Sequence, residues 1–194
     1  MTEIRSLCVL CGSRDGSDPV YRQAAIDLAT LMVQRGVRLV YGGGSIGLMG
    51  VIADTVLAEG GEVVGVIPDF LIRWEVGHCK LTELIVTDSM HDRKRKMFEM
   101  ADAFVVLPGG LGTLDETFEI ITWKQLRLHD CPIVVFDVDG YWAPLMALIQ
   151  HAIGTGFAHP GTLDLFSVVD TPEAVLDAVA SAPSPKEEAL TSHL

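Results

Sequence analysis

The sequence predicts an α/β protein with three layers and a mostly parallel, doubly wound sheet of about six or seven strands. Short apolar runs alternate with amphipathic stretches of a dozen or more residues, which is the pattern of strands joined by crossover helices. The distinctive glycine and polar clusters each come directly after an apolar run. In an open parallel sheet these positions share one edge, where ligands bind.

The first half of the chain predicts three strands and two helices. The first helix has Ser17 or Asp18 as its cap, Pro19 in its first turn and Gly36 at its end. The three strands are "SLCVLCG", "VRLVYGGG" and "EVVGVIP", and the two helices run through "SDPVYRQAAIDLATLMVQRG" and "IGLMGVIADTVLAEGG".

The second half predicts the remaining strands and the end of the domain. An irregular segment, "DFLIRWEVGHCKL", leads to a fourth strand, "ELIVTD", and then to a helix capped by Asp88 or Ser89. The later strands are "DAFVVLP", "PIVVFDV" and a short "LFSVVD", with helices between them. With 194 residues, the chain has room for one core, and we expect one domain over 1–180. The polar tail over 181–194 contains two prolines and is expected to be disordered.

Charge and hydropathy exclude several classes of function. The net charge of -12 argues against binding to nucleic acid or to an anionic membrane, because both depend on a basic surface. The N-terminus "MTEIRS" does not have the pattern of a secretory signal. No apolar stretch approaches the roughly 18 residues that a membrane-spanning helix needs. We therefore expect a cytoplasmic protein.

The cysteines and histidines do not predict a metal site. Cys8 and Cys11 form a C-x-x-C, but no second pair completes a zinc site, and Cys8 lies inside an apolar run. We expect these two residues, Cys79 and Cys131 to be core thiols. The six histidines have no H-x-x-x-H spacing. No metal or cofactor is expected.

The glycine cluster "GGGSIG", residues 42–47, satisfies G-x-G-x-x-G but is a poor dinucleotide fingerprint. It follows the second strand, and Glu62 begins a strand where the ribose-binding acid should end one. No G-x-x-x-x-G-K-[ST] is present, so a P-loop is excluded. Two alternatives remain: the loop passes close to a mononucleotide, or it packs a helix tightly on the sheet.

The basic run "RKRK" is placed where the helix dipole disfavours it. Arg93, Lys94, Arg95 and Lys96 lie in the first two turns of a helix, whose positive end repels cations. Part of the run must be a solvated face, because consecutive helical residues point in different directions. We interpret at least Arg93 and Lys94 as phosphate contacts.

The segment "PGGLGTLDE", residues 108–116, has two interpretations. Thr113 and Glu116 have the spacing of a capping box, in which both side chains bind free N–H groups of their own helix. The glycines of the turn would instead let a ligand approach the backbone and Glu116. Asp115 points about 100° away around the same helix. The residues alone leave both alternatives open.

The segments "PGGLGTLDE" and "MHDRK" together resemble the LONELY GUY (LOG) family of cytokinin-activating phosphoribohydrolases. The flanking "CGS", "GGGSIGLMG", "LTELIV" and "ETFEIITWKQL" agree, from about Ser6 to about Ala174. The resemblance implies a modified Rossmann fold and a homodimer. It also implies hydrolysis of the N-glycosidic bond of a cytokinin riboside 5'-monophosphate or AMP, which releases the free base and ribose 5-phosphate.

The resemblance implies that Arg93 and Glu116 are the catalytic pair. With the clusters that follow the strands, it gives these expected substrate-binding residues: Ser13, Gly43, Gly44, Glu75, Met90, Lys94, Pro108, Gly109, Gly110, Gly112, Thr113, Asp115 and Thr122. Arg127 departs from the pattern, since a glycine is expected after "QL". The alternative function is a non-catalytic carrier of a nucleotide or phosphorylated cofactor, which would not need the Arg93 and Glu116 pair.

Overall fold

The computed structural model describes residues 4–75, 77–78 and 80–182, without the side chains of 73–75. Seven strands within these ranges form one sheet in the order β4-β3-β2-β1-β5-β6-β7, and every neighbouring pair is parallel. The strands are β1 Ser6–Leu10, β2 Arg38–Tyr41, β3 Val63–Pro68, β4 Glu83–Thr87, β5 Ala103–Val106, β6 Ile133–Phe136 and β7 Ser167–Val169. All seven predicted strands are confirmed, and the sheet is wholly rather than mostly parallel.

The strand order has one switch point, between β1 and β5. From β1 the chain builds outward through β2, β3 and β4, and it then crosses to the other side of β1 to add β5, β6 and β7. Leu7 of β1 lies opposite both Leu39 of β2 and Ala103 of β5. Connections leave β1 and β5 in opposite directions, which opens a crevice at their carboxyl ends.

Within the described ranges there are seven α-helices, of which six connect consecutive strands and the last follows β7. Asp18 caps α1 by accepting a hydrogen bond from the backbone N–H of Val20, and Ser89 caps α4 by accepting one from Asp92. The choice of cap that the sequence left open is thereby settled for both helices. The bounds are α1 Pro19–Gln34, α2 Gly47–Ala58, α3 Asp69–Glu75, α4 Met90–Glu99, α5 Leu111–Gln125, α6 Ala143–Gly154 and α7 Pro172–Ser181.

The helices cover both faces of the sheet and complete three layers. On one face α1, α2 and α7 bury apolar side chains such as Leu28 and Ile52. On the other face α4, α5 and α6 bury Met97, Ile121 and Ile149. Burial on two faces explains why the central strands read as continuous apolar runs.

The cysteines of the C-x-x-C lie on opposite faces of the sheet. Cys8 packs in the core beneath α4 and α5, whereas Cys11 packs on the side of α1 and α2. Both are buried free thiols, as predicted, and burial raises the pKa of each. Cys131 is a free thiol that is only half-buried, and Cys79 lies outside the described residues.

The segment that follows β3 differs from the prediction. The sequence predicted an irregular connection, but Asp69–Glu75 forms the helix α3. Asp69 lies in its first turn, where a carboxylate is favourable for the helix dipole. The predicted tail begins at the last residue of α7, and 183–194 lie outside the described residues. No helix in the described ranges is long and apolar enough to cross a membrane.

The C-terminal end of α5 explains the departure at Arg127. Arg127 has a φ of 59°, in the left-handed region that favours glycine. Its N–H donates to the carbonyl of Lys124, and the N–H of Leu128 donates to the carbonyl of Trp123. These two bonds form a Schellman motif, and Arg127 occupies its glycine position.

We predict that Arg127→Gly stabilises the protein. A non-glycine residue in this conformation costs about 1 kcal/mol, so the free energy of unfolding should rise by about 0.5–1 kcal/mol in urea denaturation. Arg127→Ala removes the same side chain but keeps the strained backbone, and it should not stabilise. A lower stability of Arg127→Gly than of the wild type would contradict this account of the helix end.

Candidate active site

A cleft opens at the switch point, at the carboxyl edge of the sheet. It is bounded by the ends of β1 and β2 and by the first turns of α4 and α5, and its volume is about 220 Å³. Most of the residues predicted from the sequence meet here. Those that line the cleft are Ser13, Met90, Arg93, Gly110, Gly112, Thr113, Asp115 and Glu116.

Arg93 is fixed at the base of the cleft. It lies in the second turn of α4, and only 8% of its side chain is exposed. Its Nε donates to the carbonyl of Val66 in β3, at 3.1 Å, and Nη2 lies 3.5 Å from the carbonyl of Gly42. Nη1 donates to Glu116 Oε1 at 2.8 Å. The guanidinium is therefore oriented by β3, by the residue that follows β2 and by α5 before any ligand binds.

Glu116 faces Arg93 from the second turn of α5. Its side chain is 13% exposed, and Oε1 is held by Arg93. Oε2 has no hydrogen-bond partner within the described part of the chain. Burial raises the pKa of Glu116, while the charges of Arg93 and Lys94 oppose that rise. The geometry leaves one carboxylate oxygen available to a ligand or a water molecule.

The capping-box interpretation of "GTLDE" is wrong. The N-cap of α5 is Gly110, and no side chain caps this end of the helix. Thr113 is the third residue of α5 rather than its cap, and Glu116 turns inward to Arg93. The first residues of α5 line the cleft, and the free N–H groups at this helix end, together with the helix dipole, favour an anion.

Lys94 does not reach the cleft. Its Nζ lies 2.8 Å from Asp115 Oδ2 and 3.1 Å from Glu119 Oε2. Burial alone would lower its pKa, but the hydrogen bonds to these two carboxylates raise the pKa overall, so the ammonium stays charged. Lys94 lines a separate small cavity behind Glu116. The predicted phosphate contact of Lys94 is therefore not supported by its geometry.

The glycine loop after β2 is closely packed. The sequence left ligand contact and packing open, with Gly43 and Gly44 as the expected contacts. A Cβ on Gly43 would crowd Ile67 of β3, and Gly44 forms an isolated β-bridge with Gly77. Neither residue lines the cleft, whereas the preceding Gly42 does.

Four other predicted residues lie outside the wall of the cleft. Pro108 and Gly109 shape the turn: the Pro108 carbonyl accepts from the N–H of Gly12, and Gly109 packs against Thr113. Thr122 is exposed on α5, about 13 Å further along the helix axis than Thr113. The backbone of Glu75 ends α3, but its side chain is outside the described residues.

The structure adds residues that sequence reasoning missed. Tyr141 donates from its hydroxyl to the carbonyl of Gly109 at 2.6 Å, and its ring packs edge-on against Tyr21 of α1. It thus fixes the glycine turn before α5. Its position after β6 was the available signal, because the other clusters also follow strands. Apolar residues of the wall, such as Met49 and Leu71, have no such signal.

The side chains of the cleft do not suggest a metal or a Schiff-base lysine. Within the described ranges, no group of three or more His, Cys, Asp or Glu residues could hold a metal ion. The described cleft lining contains no lysine. The chemistry that the cleft offers is a buried guanidinium–carboxylate pair beside an uncapped helix end.

Comparison with known proteins gives a consistent family. Residues 49–179 match the family model described as "Possible lysine decarboxylase". The probable cytokinin riboside 5'-monophosphate phosphoribohydrolase LOGL2 of Oryza sativa subsp. japonica is 39% identical over 193 residues, which is 100% of this chain and 79% of that protein. The cytokinin riboside 5'-monophosphate phosphoribohydrolase LOG1 of Arabidopsis thaliana is 41% identical over 186 residues, covering 96% and 81%.

Solved structures share the fold at much lower identity. The molybdenum cofactor binding protein from Rippkaea orientalis superposes with a TM-score of 0.68 at 18% identity, covering 93% of this chain and 98% of that one. At this identity the likeness shows the fold alone. The family match and the relatives at about 40% identity carry the assignment: the chain belongs to the LOG family, whose model bears the description "Possible lysine decarboxylase".

Proposed function

We propose that this protein is a phosphoribohydrolase that cleaves the N-glycosidic bond of a cytokinin riboside 5'-monophosphate or AMP. The observation that carries the proposal is the buried pair of Arg93 and Glu116, joined at 2.8 Å at the base of the cleft. The names of the relatives support the reaction and the substrate class. The products are the free base and ribose 5-phosphate.

The pair suits the charge that develops in this reaction. As the bond from C1' to the base nitrogen breaks, its electron pair leaves with the base and positive charge builds on the ribose. Glu116 stabilises that charge, and its free Oε2 can orient the attacking water. The water oxygen bonds to C1', and its proton ends on the base. Arg93 holds the carboxylate in place.

The phosphate is assigned to the start of α5. Free N–H groups there, beside Gly110 and Gly112, form a natural anion site, and the glycines leave room for it. Arg93 uses three of its five N–H donors on Glu116, Val66 and Gly42, which leaves two for the ligand. A phosphate held at this end would orient the ribose towards Glu116.

Two other functions are less well supported. A lysine decarboxylase needs a lysine that forms a Schiff base with pyridoxal phosphate, and the described lining of the cleft offers none. A carrier of a phosphorylated ligand would need the uncapped helix and the glycine turn. It would not need a buried carboxylate with one free oxygen beside the ligand.

We also propose that the protein is a homodimer. The cleft of about 220 Å³ is smaller than the roughly 300 Å³ at the lower end of ligand pockets, so a nucleotide would project from it. Phe118 on α5 and Leu126 directly after its end are 39% and 43% exposed, and Leu128 is 65% exposed. A second copy would bury such side chains. We expect light scattering to give twice the mass of 21.0 kDa, and a monomeric mass would contradict the proposal.

The first prediction of the proposed activity concerns the phosphate of the substrate. AMP or an N6-substituted AMP should be cleaved, and the matching nucleoside should have a kcat/KM at least about 10²-fold lower, because the phosphate contacts hold the ribose in register. Chromatography of the released base measures both rates. Equal rates for nucleotide and nucleoside would refute the phosphate assignment.

The second prediction concerns the carboxylate of Glu116. Glu116→Gln can still accept from Arg93, but it removes the negative charge, so kcat should fall by about 10²-fold or more while AMP still binds. Glu99→Gln, an exposed substitution of the same type on α4, is the control and should keep wild-type kcat. Unchanged kcat in Glu116→Gln would favour the carrier.

The third prediction concerns the space beside Gly42 that the guanidinium of Arg93 occupies. A Cβ at Gly42 would collide with Arg93 Nη2, so Gly42→Ala should displace the guanidinium and lower kcat/KM by about tenfold or more. Gly154→Ala adds a methyl group that meets nothing within 4 Å and should leave activity unchanged. A fully active Gly42→Ala enzyme would show that the orientation of Arg93 is unimportant.

A further inference from the structure

Lys94 is held away from the cleft by two carboxylates of the facing helix. Its side chain is only 13% exposed, and its Nζ contacts both Asp115 and Glu119 of α5. A lysine whose ammonium is held by two carboxylates has to give up those contacts to reach a phosphate in the cleft. We therefore expect Lys94 to have a function outside the cleft.

A second cavity of about 20 Å³ lies between α4, α5 and the sheet, behind Glu116. Its polar and ionisable lining consists of Cys8, Lys94, Glu116 and Glu119, and the rest is apolar or aromatic. Glu116 borders both this cavity and the cleft. Charges act over longer distances in such poorly solvated surroundings than they do in water.

We propose that Lys94 is a positioning residue for Glu116: Asp115 and Glu119 anchor its ammonium behind the Arg93–Glu116 pair, and its charge keeps the Glu116 carboxylate ionised. The catalytic meaning of this inference rests on the proposed function. The effect of the Lys94 charge on Glu116 is independent of that function, because the ionisation of Glu116 can be measured without substrate.

The charged groups around Glu116 determine the direction in which Lys94 shifts the pKa of Glu116. Burial raises the pKa of Glu116, and Asp115 on the same helix adds to the rise. Arg93 and Lys94, both from α4, lower it. The thiols of Cys8 in β1 and of Cys11 directly after it have pKa values raised by burial and then by Glu116, so they stay neutral. Lys94 is thus the second of the two cations that oppose the rise in the pKa of Glu116.

The experiment is a titration of the Glu116 carboxyl by ¹³C NMR, with the signal assigned by its loss in Glu116→Gln. In Lys94→Met the midpoint should rise by about 0.5–1 pH unit, because one of two nearby positive charges is gone. Lys94→Arg retains the charge and should titrate close to the wild type. Lys96→Met makes the same change in net charge on the same helix, and Lys96 lines neither the cleft nor the cavity behind Glu116. It should also titrate as the wild type.

Kinetics separates this function from a phosphate contact. If Lys94 positions Glu116, the acid limb of the kcat profile moves to higher pH in Lys94→Met, while KM for AMP at pH 8 changes less than about threefold. An unchanged Glu116 midpoint, or a large rise in KM for AMP with the acid limb unmoved, would overturn the proposal. Failure of the wild type to cleave any nucleotide would refute the proposed function but leave the titration as a test.

Discussion

The contact between Arg93 and Glu116 is the interaction on which the account of this molecule depends. Both side chains are almost completely removed from solvent, and burying two charges costs several kcal/mol per ion, which the mutual attraction only partly returns. A hydrophobic pair of similar size would fill the same space with less difficulty. The charges therefore need a reason other than stability, and a cleft beside an uncapped helix provides one.

The topology of the sheet brings this pair together. Arg93 and Glu116 are 23 residues apart in sequence and lie on helices that follow β4 and β5. In the sheet, β4 is an edge strand, whereas β5 is next to β1 at the centre. Arg93 reaches inward from α4 across the end of β3, where the Val66 carbonyl accepts its Nε–H. The carboxyl edge of a doubly wound sheet is thus where remote segments meet.

Most of the fold could be predicted from the sequence because its signals are local. Apolar runs mark strands that are buried on both faces, and Asp18 and Ser89 mark helix starts through their own hydrogen bonds. The helix α3 was missed because it has only seven residues, too few for a helical repeat to stand out from an irregular segment. Arg127 was recognised as a departure, and its left-handed backbone explains why a glycine was expected there.

The sequence predicted most of the residues that form the site, but not the directions of their side chains. Glycine and charged clusters after strands identified the cleft, yet the direction of each side chain depends on contacts between helices. Lys94 contacts Asp115 and Glu119, whereas its neighbour Arg93 enters the cleft. No local sequence pattern shows which of these two adjacent residues faces the cleft. Glu116 has the spacing of a capping residue, and only the position of Arg93 shows that it has another partner.

A double-mutant cycle on Arg93 and Glu116 tests the central claim most directly. The cycle compares kcat/KM for AMP in the wild type, Arg93→Ala, Glu116→Gln and the double variant, each checked for folding by circular dichroism. If the two residues act as a unit, the double variant should be within about threefold of the slower single variant. If the two losses multiply instead, the residues act independently, and the pair is not the catalytic unit that we propose.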